Sequence, residues 1–230
     1  MAMANRYFTE DSLNFLRQLA QHNNRDWFEQ HKTDYEVTVR TPALQFITDM
    51  ADDLAAISPH FLAQAKKMGG SLMRIYRDVR FGKDKRPYKT NIGIQFRHEL
   101  GKDVHAPGFY VHVEPGDCFV GVGIWRPDAL ALGKIRDVIA EQPAKWQDAL
   151  RNKSFKQHFE LSGESLSRPP RGYAKDHPLL EDLKRMDFIA ITPLADEQVL
   201  SPRFKQLVLD RFSAADDYMH FLCKALVLQY

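Results

Sequence analysis

The chemistry of this chain concentrates between residues 74 and 97. Eight residues there are basic (Arg74, Arg77, Arg80, Lys83, Lys85, Arg86, Lys89, Arg97) and two acidic (Asp78, Asp84), a net charge of +6. The whole chain carries only +2, which leaves −4 for the rest. Arginine grips phosphate or carboxylate through paired N–H bonds and lysine acts as a point charge, so the segment has the donors for an anion. Asp78 lies between Arg77 and Arg80, and Asp84 between Lys83 and Lys85, where each can orient the cations and limit their repulsion. The alternative is a solvated loop whose cations pair with acids on neighbouring helices. Phe81, Pro87 and Tyr88 punctuate the run, and it adjoins the glycine-bearing strand faces described below, which favours the anion site.

A second set of candidates surrounds His112. His112 and Glu114 stand at i and i+2, which puts both on one face of a strand, and a histidine and a carboxylate so placed can ligate one ion. Neither His105 nor His177 adds a third donor at a recognisable spacing, and HExxH and CxxC are missing, so no metal site is assigned. His112 is instead a candidate general base, with Asp78 the other candidate for proton transfer. GxSxG, a Walker loop and a GxGxxG opening a helix are also missing, which removes the common hydrolase, NTPase and dinucleotide-binding assignments. No cofactor is assigned.

A sheet must position these side chains. Residues 71–77 and 91–97 alternate apolar and polar and are predicted strands. Residues 108–125 predict an antiparallel hairpin, because Pro115 and Gly116 suit the centre of a type II turn. With a tight turn, Val111 and Val113 share a core face with Cys118, Val120 and Val122. Tyr110, His112 and Glu114 share the other with Phe119, Gly121, Gly123 and Trp125. Ile92, Ile94 and Phe96 divide in the same way from Asn91, Gly93, Gln95 and Arg97. Three glycines thus fall on polar faces, where they admit either an aromatic ring such as Tyr110 or a ligand.

Helices are predicted on both sides of this region. Thr9 caps the first, whose stripe is Leu13, Leu16, Leu19 and Ala20, and Asn23-Asn24 ends it. Asp26 and Glu29 have capping-box spacing for a second helix with Trp27, Phe28, His31 and Tyr35 on one side. Thr41-Pro42 opens a third, stopped by Ser58-Pro59. After Pro127 come helical stretches to about 140 and 159, a polar loop at 168–178, a short helix, a strand at 187–192 and a long closing helix from Ser201-Pro202. Strands in the middle with helices at both ends predict an α+β fold, a central antiparallel sheet flanked by N-terminal and C-terminal helices. The expected layout is a single domain over 1–230: helices at about 9–57, sheet core at about 70–125, helices and one further strand at about 127–230.

The chain has 230 residues, 44% hydrophobic and 27% charged, an ordinary globular composition with neither a polybasic nor an acidic excess. Cys118 and Cys223 sit among apolar neighbours, as buried free thiols in a reducing compartment do. No stretch approaches the ~18 apolar residues of a spanning helix and no signal-peptide pattern opens the chain, so it is expected to be cytoplasmic with no membrane partner.

The run RDVRFGKDKRPYK at 77–89, with NNRDWF at 23–28, PGFY at 107–110, PRGY at 170–173 and DHP at 176–178, resembles the widespread family called domain of unknown function 2461. The resemblance covers nearly the whole chain. The family pattern has serine where Gly82 stands, which leaves the cations intact, and the resemblance implies no activity, cofactor or substrate.

The expected function is binding of a small phosphorylated or otherwise anionic ligand, with catalysis left open. Arg74, Arg77, Arg80, Lys83, Lys85 and Lys89 supply charge, Tyr88 and Trp125 stack on an apolar or base moiety, and Arg171 and Tyr173 close over it. A nucleic-acid-binding module is the alternative, because Tyr76, Phe81, Tyr88 and Phe96 interleave with the cations as in a stacking groove. A pI near 8.4 and the lack of a second basic stretch of equal density argue against a long footprint. In a third reading, a structural or partner-binding protein, internal salt bridges occupy the whole motif. The oligomeric state is not readable.

Overall fold

In the computed structural model, which describes residues 7–80, 84–101 and 106–230, the chain opens with α1 (Glu10–Gln21). Lys83 and His105 lie outside the described residues. Thr9 caps α1, its N–H donating to Ser12 Oγ at 3.1 Å, and Phe8, Leu13, Leu16 and Leu19 are buried. Asn24, not Asp26, caps α2 (Arg25–Gln30), its side chain accepting the Trp27 N–H at 2.9 Å. Asp26 already lies inside the first turn, so the predicted capping box starts two residues late.

The third helix does not start afresh at Thr41. α3 (Lys32–Tyr35) passes through a π-helical turn (Glu36–Arg40) into α4 (Thr41–Ile57) without leaving the helical backbone. Pro42 has no N–H for a carbonyl one turn back and its ring crowds that carbonyl, so the wider turn relieves the conflict.

The strands β1 (Phe61–Leu62), β2 (Ile92–His98), β3 (Gly108–Val113), β4 (Cys118–Ile124), β5 (Glu160–Ser162) and β6 (Phe188–Leu194) form an antiparallel sheet. Their order is β1-β2-β3-β4-β6-β5. The β3–β4 hairpin has the predicted register, with Val111 opposite Val120 and Tyr110 opposite Gly121. Gly116 takes φ 79°, as the third residue of a type II turn requires, and the Asp117 N–H closes the turn on the Glu114 carbonyl at 2.9 Å.

The predicted strand at 71–77 is two pieces. Ser71 and Met73 extend the sheet edge, the Met73 N–H donating to the Gly93 carbonyl at 2.9 Å and the Gln95 N–H to Ser71 at 2.8 Å. Beyond Arg74 the chain leaves the sheet and pairs with residues 87–89.

The later helices are α5 (Ala129–Glu141), α6 (Pro143–Arg151), α7 (Lys153–His158), α8 (Leu180–Leu183) and α9 (Asp196–Val199). The predicted single closing helix is two, α10 (Phe204–Ala214) and α11 (Asp216–Ala225). They part at Ala215, whose N–H bonds three residues back to Phe212 at 3.1 Å, while Asp216 and Asp217 begin a new first turn where acids are favourable.

α4, α10 and α11 pack on one sheet face. There Phe109 lies 4.6 Å from Phe212, Phe46 lies 5.3 Å from Phe204, and Ile94, Phe96, Val111 and Val120 are fully buried. The class is α+β. Among the described residues no helix is long and apolar enough to cross a membrane.

The backbone of β4 meets β6 most closely at Gly123. Its φ is +115° and a Cβ there would lie 2.0 Å from the Phe188 carbonyl oxygen, so only glycine fits. Gly123→Ala is therefore expected to cost about 2 kcal/mol or more. Gly133→Ala, in the interior of α5 with open space around it, is expected to stabilise by about 0.5–1 kcal/mol. Urea unfolding of both variants checks the pair.

Candidate functional site

The basic run folds as a short hairpin docked on the N-terminal helices. Tyr76 pairs with Tyr88, the Arg77 N–H donates to the Pro87 carbonyl at 2.8 Å, and the Lys89 N–H to the Ile75 carbonyl at 2.7 Å. Asn23 fixes it from outside. Its Nδ2 donates to the Tyr88 carbonyl and its Oδ1 accepts the Tyr88 N–H, both at 3.0 Å, so one side-chain amide does the work of a neighbouring strand. His22 takes the helix C-cap expected of Asn23. Phe28 stacks on Tyr88 at 4.2 Å, leaving Tyr88 2% exposed.

This placement removes Tyr88 as a stacking surface for a ligand. Phe96 is fully buried in the core and is equally unavailable to a base. Of the aromatic residues expected to form a nucleic-acid groove, Tyr76 is half exposed and Phe81 lies outside the described residues.

The charges of the hairpin are largely compensated within it. Arg80 grips Asp78 with two bonds at 2.7 and 3.0 Å. Arg86 grips Asp84 at 2.7 and 3.0 Å, and Arg77 reaches the same carboxylate at 2.6 Å. Lys85 Nζ donates to the Val79 carbonyl at 2.9 Å. Hydrogen bonds from Arg80 and Arg86 hold the Asp78 and Asp84 carboxyls well below the usual carboxylate range. Such a carboxylate is too weak a base to take up a proton near neutrality, which counts against Asp78 as a proton-transfer group.

Two cations stand apart. Neither Arg74 nor Lys89 forms an ion pair within 4 Å among the described residues, although the charge of Arg74 does reach the Asp78 carboxylate. Burial first, then the charges of Arg74 and Arg77, push the Lys89 ammonium below its ordinary pKa. The protonated form thus costs folding stability, a cost relieved only as pH rises through the folded-state value.

A polar chain links the hairpin to the half-open sheet face. Burial pushes the Tyr110 phenol up to about 12, so it stays protonated. Tyr110 Oη lies 3.1 Å from His112 Nδ1, His112 Nε2 lies 3.1 Å from a Glu114 oxygen, and Thr90 donates to the other Glu114 oxygen at 2.5 Å. Asn91 Nδ2 is 3.4 Å from His112 Nδ1, and Phe119 stacks on the imidazole at 4.6 Å and 9°. Two donors on Nδ1 and an acceptor at Nε2 assign the proton of the neutral ring to Nε2. This is the geometry of an oriented base, with the phenol as its partner.

Beside Tyr110 the sheet face opens into a groove of about 330 Å³. Gly108, Gly121 and Gly123 floor it, and Met73, Phe119, Trp125, Ile189 and Ile191 make its apolar walls. Tyr110 does lie over glycine: a Cβ at Gly93 would meet its hydroxyl at 2.8 Å. Tyr110 also touches Gly121, where a Cβ would lie 3.7 Å from its Cβ and Cδ1, so the groove runs along the edge of the ring.

Other expected residues lie elsewhere. Tyr173 donates to Asp137 of α5 at 2.7 Å, and neither it nor Arg171 lines the groove. A second cleft of about 300 Å³, between the hairpin and α2, holds Arg77 with Arg25 and Glu29. Burial pushes the Cys118 and Cys223 thiols up to about 12, so neither is a thiolate nucleophile at neutral pH.

An antiparallel sheet covered on one face, with a clamped basic hairpin at its edge, defines an α+β protein with a half-open sheet face. The model of the conserved hypothetical protein family DUF2461 matches residues 11–221, so the chain belongs to that family. No curated protein and no solved structure matches it.

The Asn23 clamp is testable. Asn23→Ala leaves a buried peptide without partners and is expected to cost about 1–3 kcal/mol. Hydrogen exchange at the Tyr88 and Lys89 amides should accelerate in the variant while β3 and β4 stay protected.

Proposed function

We propose that the protein binds a small anion bearing an apolar or aromatic portion on its half-open sheet face. The apolar part lies over Gly121 and Gly123, between Phe119 and Trp125. The anionic end lies toward Arg74 and Lys89. The observation that carries this reading is a glycine-floored apolar groove on the sheet face whose edge leads to Lys89, a half-buried ammonium that meets the charges of Arg74 and Arg77 and forms no ion pair among the described residues. A half-buried ammonium held next to other cations is costly unless an anion offsets it, and a titratable group perturbed in this way is a functional-site candidate.

Met73 lines the groove and Arg74 follows it in the chain, while Lys89 leads directly into Thr90 and Asn91 of the polar chain. A reaction at this site would use His112 as base through Tyr110, whose ring stands at the groove wall. Two buried free thiols suit a reducing, cytoplasmic setting, and helices from both ends of the chain around one sheet suit a single domain.

The ion pairs Arg77–Asp84, Arg80–Asp78 and Arg86–Asp84 favour a second reading, in which the hairpin is a structural element. The two readings share the same hairpin and differ at Lys89. Thermal-shift measurements with inorganic phosphate, phenyl phosphate, octanoate and a short oligonucleotide separate them. At 100 times its dissociation constant a ligand stabilises by about 2.7 kcal/mol, or about 5–10 °C for a chain of this size.

Phenyl phosphate or octanoate should raise the midpoint more than inorganic phosphate does. Lys89→Met should keep or raise the stability of the free protein and lose the response, and Gly121→Leu, whose side chain fills the groove, should lose it too. A wild type indifferent to all the small anions, or variants that respond as it does, contradicts the proposal. A response to the oligonucleotide alone, falling steeply with salt, favours nucleic acid.

A further inference from the structure

Sequence spacing offers His112 and Glu114 as a pair of donors and no third. The folded hairpin supplies one. Pro115 and Gly116 reverse the chain so that Asp117 returns to the same end, and His112, Glu114 and Asp117 each bring a ligand atom within 4.8 Å of the others. We propose that these three side chains bind one first-row divalent cation, such as Mn²⁺, Fe²⁺ or Zn²⁺, at the turn end of the β3–β4 hairpin. The proposal rests on the hairpin alone and stands whether or not the groove takes an anion; a bound ion takes Nε2 and leaves the proton on Nδ1, so it replaces the role of His112 as a base.

The geometry is close to that of a bound ion. His112 Nε2 and the Glu114 carboxylate are 3.1 Å apart, the separation of two donors about 2.1 Å from a common metal at roughly a right angle. Donors on one such metal at about 90–109° lie about 3.0–3.4 Å apart, so Asp117, already within 4.8 Å of the other two, completes the site by moving no more than about 1.8 Å. Asp117 can do so. It is exposed at the turn, and its side chain has no hydrogen-bond partner among the described residues.

The other two donors are already oriented from behind. Phe119 stacks on the imidazole, Tyr110 and Asn91 meet Nδ1, and Thr90 holds the second Glu114 oxygen. A ligating imidazole engages a partner through its other nitrogen, which fixes the ring and its tautomer. With Nε2 on a cation, the Nδ1–H donates to the Tyr110 phenol oxygen 3.1 Å away, while the Asn91 amide, whose Nδ2 faces the ring, turns its oxygen toward it. One imidazole and two carboxylates suit manganese, iron or zinc better than calcium, which takes oxygen ligands. Three protein donors leave positions open, as in sites that exchange a water or an anionic ligand rather than sites that only hold structure.

Titration of the full chain with Mn²⁺, followed by paramagnetic broadening of backbone amide signals, tests this. One ion per chain is expected, with broadening centred on residues 112–117 and reversed by Zn²⁺. Asp117→Asn should weaken binding at least tenfold and leave the metal-free melting temperature unchanged. His112→Ala should abolish binding, but the exposed Asp117 variant decides the matter if that protein fails to fold. Broadening that is missing at millimolar Mn²⁺, that centres instead on His60 and Glu99, paired at 2.6 Å beside β1 and β2, or that Asp117→Asn weakens less than tenfold overturns the proposal.

Discussion

Strands whose alternate residues are large and apolar can bury only one face, and the arrangement of this molecule depends on that constraint. Ile94, Phe96, Val111 and Val120 commit one side to α4, α10 and α11. The other side carries Gly93, Gly121 and Gly123 among polar and aromatic residues, too small a set to build a second core. It stays half open. The groove, the His112 chain and the docked basic hairpin all sit on or beside this second side, so the residues able to do chemistry are those excluded from the core.

Charge is distributed with similar economy. Ion pairs engage three arginines of the basic run and a carbonyl engages Lys85, so the formal excess of that segment overstates the field it offers a ligand. Those pairs are exposed and contribute little to stability. Their effect is to hold the hairpin in shape while Lys89, which faces Arg74 and Arg77, forms no ion pair among the described residues. Net charge over a segment is thus a poor guide to its ligand-binding charge.

Much of the fold was legible in the sequence because strong local rules set it. The Pro115-Gly116 turn determined the hairpin register, and with it which side chains share a face with His112. β1 and β5 were missed because two and three residues are too short for alternation to register. The break at Ala215 was hidden because the apolar spacing continues across it. At the site, composition located the basic run and pattern located the glycine face, but neither could reveal partners. Asn23 acts on Tyr88 across 65 positions, and Asp117 joins His112 only through the turn. Tyr88 shows the converse failure: an aromatic within a basic run reads as a stacking platform, and Phe28 had already covered it.

In the proposed function the half-open sheet face is the surface that meets the ligand. Amide NMR of the full chain during titration with phenyl phosphate tests it most directly, because glycine amides resolve well and report the groove floor. The largest shifts are expected on Gly108, Gly121 and Gly123, with Lys89 and Tyr110 next. Shifts confined to Arg25 and Glu29 of α2, or to the separate cleft that His220, Lys224 and Gln229 line near the C-terminus, would contradict that reading.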